Sequence, residues 1–204
     1  MSCSLSSQQI EGVTSFHGHW CPGLAIGIRA GEWALQEMGR SGDEEIVAVV
    51  ETDMCGVDAI QYLTGCTFGK GNLIYRDLGK NAFSFYRRSD GRAARLVTRP
   101  EVYGDIRRTL SRLHAKMQEH GLTPEEEKEL GEARSMLSRR IMESPLEEVF
   151  EIKTPEHKAP RKARILNSQT CETCGEQVME TRTRRLQERT LCIPCFERLE
   201  NPAD

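Results

Sequence analysis

SFHGHWCPGLAIGIRAG (residues 15–31) puts two histidines, a cysteine and three glycines spaced four apart into one short run. From Pro22 onward it reads as a helix. A proline fits the first helical turn, where its missing N–H costs nothing, and Gly39 supplies a C-terminal stop. Gly23, Gly27 and Gly31, with Ala30 and Ala34, place small residues on one helical face. Each glycine costs up to about 1 kcal/mol of helix propensity relative to alanine. Close packing of the helix on a sheet or another helix, or the approach of a ligand, must offset that cost. Cys21 stands just before the helix, where free N–H groups and the helix dipole favour a thiolate.

Working outward, EEIVAVVET (residues 44–52) is a dense β-branched run and reads as a buried strand. MCGVDAIQYLTG follows as a short helix beginning near Cys55, and CTFGKGN as a glycine-rich loop. LIYRDLG, AFSFYRR and RAARLVT read as strands, the last two joined as a hairpin through Ser-Asp-Gly. Pro100 is expected to open a helix running through EVYGDIRRTLSRLHAKMQEHG. Thr123, Pro124 and Glu126 mark the start of another, with acidic residues in its first turn, and the two should pair antiparallel. LEEVFEIKT reads as a further strand. PEHKAPRKARILNSQT is polar, basic and carries two prolines, so it reads as a linker. Strands and helices mix without regular βαβ alternation. The expected fold is therefore α+β, a mixed sheet packed with helices, over residues 1–165, with a small C-terminal zinc ribbon over 166–204.

The chain has 204 residues, 38% of them hydrophobic and 29% charged, as expected of a globular body with a real core. The formal net charge of −3 gives no bulk attraction to nucleic acid. No apolar stretch approaches the length of a bilayer span, and the first residues lack the basic and apolar regions of a signal peptide. The expected setting is the cytoplasm, with no membrane partner. Eight cysteines are many for such a chain, and in a reducing compartment they point to metal ligation or redox chemistry. Four lie in the first third (Cys3, Cys21, Cys55, Cys66) and four in the last 35 residues.

Those last four form Cys171-x2-Cys174, a 17-residue gap, then Cys192-x2-Cys195. Each pair can set two thiolates on a tight turn, and two turns complete a tetrahedral zinc site. A segment this small is too short to fold on a core alone. Four protein ligands leave no open position, so this zinc is structural. Arg182, Arg184, Arg185 and Arg189 lie between the pairs, but the interspersed glutamates dilute them. The module reads as a solvated or protein-docking surface in preference to a nucleic-acid face.

Cys55 lies at a strand-to-helix junction, much as Cys21 precedes its helix, with Asp53 and Asp58 nearby. If both helices start at the same end of one sheet, Cys21 and Cys55 can face each other with His17 and His19 close by. Mixed His/Cys ligation suits zinc, nickel or iron better than magnesium or calcium. With two or three protein ligands, a coordination position stays open. Cys21 and Cys55 are also the candidates for a catalytic thiolate. The competing reading is a pair of capping histidines and buried, inert cysteines. Cys66 reads more simply as a loop or core residue, and Cys3 as part of a frayed terminus. Lys70 and Lys80, each beside a glycine, are candidates to contact an anionic group. FGKGN is not a P-loop, because it lacks the spacing before Gly-Lys-Ser/Thr.

FHGHWCPGLAIGIRAG, VETDMCGVDAIQYLTGCTFGKGNL and DLGKNAFSFY resemble the signature blocks of the FmdE family, named for one component of formylmethanofuran dehydrogenase. The resemblance covers residues 12 to 155, and the trailing four-cysteine module is similar to the zinc ribbon of many members. It implies an α+β core with a metal-binding cleft, in a homodimer, and places His17, His19, Cys21 and Cys55 around that cleft. Formylmethanofuran dehydrogenase is a molybdenum or tungsten enzyme whose other subunits carry the pterin and iron–sulfur centres. This chain has no pterin-binding or ferredoxin-like run. The resemblance therefore implies an accessory protein, with oxidoreductase subunits as partners. A stand-alone enzyme acting on a small carbonyl, formyl or pterin compound is the alternative, as is an adaptor working through its ribbon.

Overall fold

In the computed structural model, which describes residues 2–201, the chain parts at Lys162–Ala163 into two units. The first opens with α1 (Ser7–His17) and α2 (Pro22–Met38), then β1 (Ile46–Val50), α3 (Gly56–Thr64) and β2 (Leu73–Tyr75). A hairpin of β3 (Ala82–Arg87) and β4 (Ala93–Thr98) follows. After a 3-10 turn at Pro100–Tyr103 come α4 (Ile106–Glu119), α5 (Pro124–Glu143), the single turn α6 (Leu146–Val149) and β5 (Phe150–Lys153). The sheet runs β2-β1-β3-β4-β5, with β1 and β2 parallel and every other pair antiparallel. This is the α+β body expected from the sequence.

All five β1 residues are buried, because the sheet is covered on both faces there. Ile46, Ala48 and Val50 join Phe83, Phe85 and Leu96 on the face that meets Ile26, Ala30 and Ala34 of α2 and the paired helices α4 and α5. Val47 and Val49 point the other way, beside Tyr86. On that second face Arg95 grips Glu51 with two bonds of 2.6 Å, which lowers the Glu51 carboxyl below its ordinary value. The α4–α5 pair is antiparallel, and its seam is crossed by Arg112–Glu129 and Lys116–Glu126, each at 2.6 Å. Thr123 and Glu126 form the reciprocal capping box that starts α5.

The glycine face of α2 meets α3, and the fit is backbone to backbone. A Cβ placed on Gly27 would fall onto the carbonyl and Cα of Gly56, and one on Gly31 would press into Leu63. Gly56 is equally constrained, because its Cβ would lie 2.9 Å from the Gly23 carbonyl oxygen. The helix-propensity cost of these glycines is thus the condition for bringing two helix axes this close.

Several local expectations change. Residues 7–17 form a helix that the periodicity of the sequence does not announce, started by a capping box between Ser6 and Gln9. The terminus around Cys3 is not frayed: the Cys3 N–H bonds the Met142 carbonyl at 2.8 Å, and Ser4 donates twice to Glu32. Glu32 in turn pairs with Arg29 at 3.0 Å, and both side chains are buried. The helix expected from Pro100 is interrupted, since Gly104 turns the chain before α4 begins. The strand expected over LEEVFEIKT begins only at Phe150, because Pro145 starts one helical turn first. LIYRDLG leaves the sheet after Tyr75. No helix among the described residues is long and apolar enough to cross a membrane.

The second unit holds two small hairpins, β6 (Ser168–Thr170) with β7 (Gln177–Met179) and β8 (Thr183–Leu186) with β9 (Arg189–Cys192), then α7 (Ile193–Glu200). Its core is Leu191 with three of the four cysteines, so little apolar area holds it together.

Gly27→Ala tests the α2–α3 contact. The variant should lose about 2 kcal/mol or more in urea unfolding. Gly131→Ala, where an added Cβ meets nothing, should leave stability unchanged or slightly raised.

Candidate metal centre

The N-terminal cluster is assembled by three helix ends. α1 stops at His17 because Gly18 adopts a left-handed conformation (φ 93°) and returns its N–H to Thr14 at 2.8 Å. The short turn that follows carries His19 and delivers Cys21 to the N-cap of α2. There the Cys21 sulfur accepts the Leu24 N–H at 3.3 Å. Cys55 sits at the start of α3, brought alongside by the glycine contact. A Cβ on Gly23 would lie 3.3 Å from the Cys55 Cβ. One donor atom from each of His17, His19, Cys21 and Cys55 falls within 4.8 Å of all the others. The histidine rings lie 4.4 Å apart by their centroids.

The hydrogen bonding of His17 assigns its ligand atom. Nδ1 lies 2.7 Å from Asp58 Oδ2, so the imidazole donates there and presents the lone pair of Nε2. Nε2 is buried and has no hydrogen-bond partner. An unpartnered buried nitrogen is costly, and a cation between it and the two sulfurs would satisfy it. Burial and contact with the Cys21 thiol push the Cys55 thiol up in the free protein, which a bound cation would reverse. Donor atoms that all lie within 4.8 Å of one another can converge on one cation at zinc–nitrogen and zinc–sulfur lengths of about 2.0 to 2.3 Å. The residues therefore fit a transition metal, held by soft and borderline donors and reachable from solvent on the His19 side.

In the ribbon, one sulfur from each of Cys171, Cys174, Cys192 and Cys195 likewise falls within 4.8 Å of the others. Gly175, at φ 77°, makes the knuckle after the first pair. Backbone N–H groups of Cys174, Cys192 and Thr173 lower the Cys171 thiol to about 6. The Glu176 N–H pulls the Cys174 thiol down, but Cys171, burial, Cys195 and Cys192 together push it up to about 12. Four thiols this close cannot all ionise without a cation among them. Arg198 donates to the Cys195 sulfur at 3.1 Å and offsets part of the thiolate charge.

Asp58 is the residue whose role sequence reasoning misses. It stands out as a neighbour of Cys55 but not as the partner of His17, because the two are 41 positions apart. Cys66 is fully buried and its thiol lies 3.5 Å from the Ile46 carbonyl, which makes it a core residue. Lys70 and Lys80 do not share a site. Lys70 reaches the Gly42 carbonyl near the start of β1, whereas the Lys80 N–H bonds Glu51 just past its end. The five-residue strand between those two points spans about 17 Å. Lys80 instead lines a polar recess with Arg76, Glu51 and Arg95.

An α+β body carrying a His/Cys cluster, followed by a four-cysteine zinc knuckle, is the class these two units define. The chain belongs to the FmdE family: residues 16–151 match the model described as FmdE, molybdenum formylmethanofuran dehydrogenase operon. Residues 164–201 match the prokaryotic dksA/traR C4-type zinc finger. A similar solved structure is a tungsten formylmethanofuran dehydrogenase FmdE-like protein from Syntrophus aciditrophicus. It has a TM-score of 0.62 and 26% identity, covering 95% of this chain and 93% of that one. A probable S-adenosyl-L-methionine-binding protein of Archaeoglobus fulgidus is 34% identical over 191 residues, 88% of this chain. The chain spans about half the length of that relative.

Asp58→Asn should weaken metal binding at the core cluster by about 10- to 100-fold, because it loosens the ring that presents Nε2. Chelator competition reads this, with the ribbon metal retained throughout.

Proposed function

We propose that the N-terminal body is a half-open metal centre and that the chain serves as an accessory protein to a molybdenum- or tungsten-dependent oxidoreductase. The core metal is zinc in this reading, with nickel and iron compatible with the same donors. Its task is metal or cofactor handling, since the described residues of the body bring together one small His/Cys cluster with one exposed ligand. The observation that carries the reading is the buried, unpartnered Nε2 of His17 beside two thiols. The family description and the name of the Syntrophus protein support the oxidoreductase association. In the cluster, Asp58 holds the His17 tautomer, the Leu24 N–H in the first turn of α2 holds the Cys21 sulfur in place, and His19 closes or opens the solvent side. A bound metal would supply Lewis acidity and an exchangeable ligand position there. The homodimer belongs to the same proposal. Exposed Phe16, Trp20 and Tyr62, next to the cluster in sequence or stacked on its helix, support a contact surface on that side.

Metal content of the purified full chain tests the site. Two metals per chain are expected, falling to one in the double variant His17→Ala/Cys55→Ser and to one in Cys171→Ser/Cys174→Ser. A single metal that the core substitutions leave in place rejects the core centre. Affinity isolation of the tagged full chain tests the role separately. Pterin-bearing subunits should co-isolate, and a chain that keeps two metals but brings down none of them rejects the accessory assignment alone.

A further inference from the structure

Away from both cysteine clusters, a cavity of about 420 Å³ lies between α4 and the end of the sheet. Arg107, Leu110 and His114 line it from one stripe of α4, at the three- and four-residue spacing of a single helical face. Tyr103 joins them from the preceding turn, and Asn81 and Thr98 from the strand ends opposite. Thr98 donates its N–H to the Asn81 carbonyl at 3.0 Å, one step past the Ala82–Val97 pair of the β3–β4 ladder. β1 ends at the same end of the sheet, since Val50 pairs with Phe83. The cavity and the Cys55 loop are thus built on the same end of the sheet.

Three observations give this cavity a chemistry. First, the lining includes a guanidinium and no carboxylate, in a chain whose acids outnumber its bases, 31 to 28. Second, Asn81 Oδ1 and Thr98 Oγ1 are closed off from solvent with no hydrogen-bond partner. Both residues line the cavity, and unsatisfied polar atoms of this kind are few in folded proteins. Third, Arg134 can only donate, so its 3.2 Å contact makes His114 Nε2 the acceptor and leaves Nδ1–H as a further donor. Tyr103 and Leu110 add apolar surface. A mostly preformed concavity of this size, with a few convergent polar groups, is the usual form of a small-molecule site.

We propose that this cavity binds a small organic anion, with an aromatic or heteroaromatic ring against Tyr103 and Leu110. An amide-like edge of the ligand meets Asn81 and Thr98, and its carboxylate or phosphate meets Arg107. The geometry is independent of the metal centre.

Hippurate (N-benzoylglycine) carries the ring, the amide and the carboxylate and is the probe. Titrated into the purified full chain and followed by amide NMR shifts, it should saturate at about millimolar concentration and move resonances of α4 and of residues 81 and 98. Arg107→Gln, on an exposed residue, should weaken it at least about tenfold, while benzamide, which lacks the carboxylate, should bind wild type and variant alike. Thr98→Val should also weaken hippurate while leaving the melting temperature equal or higher, because it removes an unsatisfied hydroxyl. A merely structural hydroxyl would not separate those two readouts. The proposal is overturned by absence of saturable hippurate binding, by shifts confined to other regions, by equal affinity in Arg107→Gln, or by unchanged binding in Thr98→Val.

Discussion

The contact of Gly27 with Gly56 sets the distance between α2 and α3, and the N-terminal cluster depends on that distance. Cys21 caps one of these helices and Cys55 begins the other. With a side chain at either glycine the helices would stand further apart and the sulfurs with them. The same approach places Asp58, one turn into α3, where it can hold His17 at the end of α1. Three helix termini thus converge because two backbones touch.

Around that contact the body is tied by interactions that leave the cluster free. The buried Arg29–Glu32 pair joins α2 to the N-terminal arm through Ser4 and to the end of α5 through the Ser144 carbonyl. A buried pair of this kind is costly to break from one side, so it fixes α2 against its neighbours. Rigidity is therefore placed along the length of α2, away from the solvent-facing His19. A fixed frame with one exposed donor is what a site needs if its ligand set is to change while its geometry persists.

Much of this is legible in the residues. β1 shows in its β-branched run, α5 in Thr123-Pro124 and Glu126, and the ribbon in two matched cysteine pairs. These signals are local, so neighbouring residues suffice to read them. The glycine spacing announces that α2 is closely packed, but not that its partner is α3. The His17–Asp58 bond and the cavity under α4 are illegible for the same reason: each joins segments that only the tertiary fold brings together. α1 escapes notice because its signal lies in a capping box with a modest apolar face, and the break at Gly104 because proline and glycine four residues apart fit either one helix or two.

The two cysteine clusters meet different physical demands with similar atoms. In the ribbon, the metal substitutes for a core: Leu191 and Phe196 bury too little to order about forty residues, and ligation supplies the remainder. In the body, the sheet and helices enclose an ample apolar core of their own, so ligation has a smaller share in holding that unit together. A donor set that includes a buried, unpartnered imidazole nitrogen and opens to solvent through one residue is costly to maintain. Such a cost is characteristic of functional sites, and it is the physical reason to look for the chain's activity at His17, His19, Cys21 and Cys55 before its ribbon.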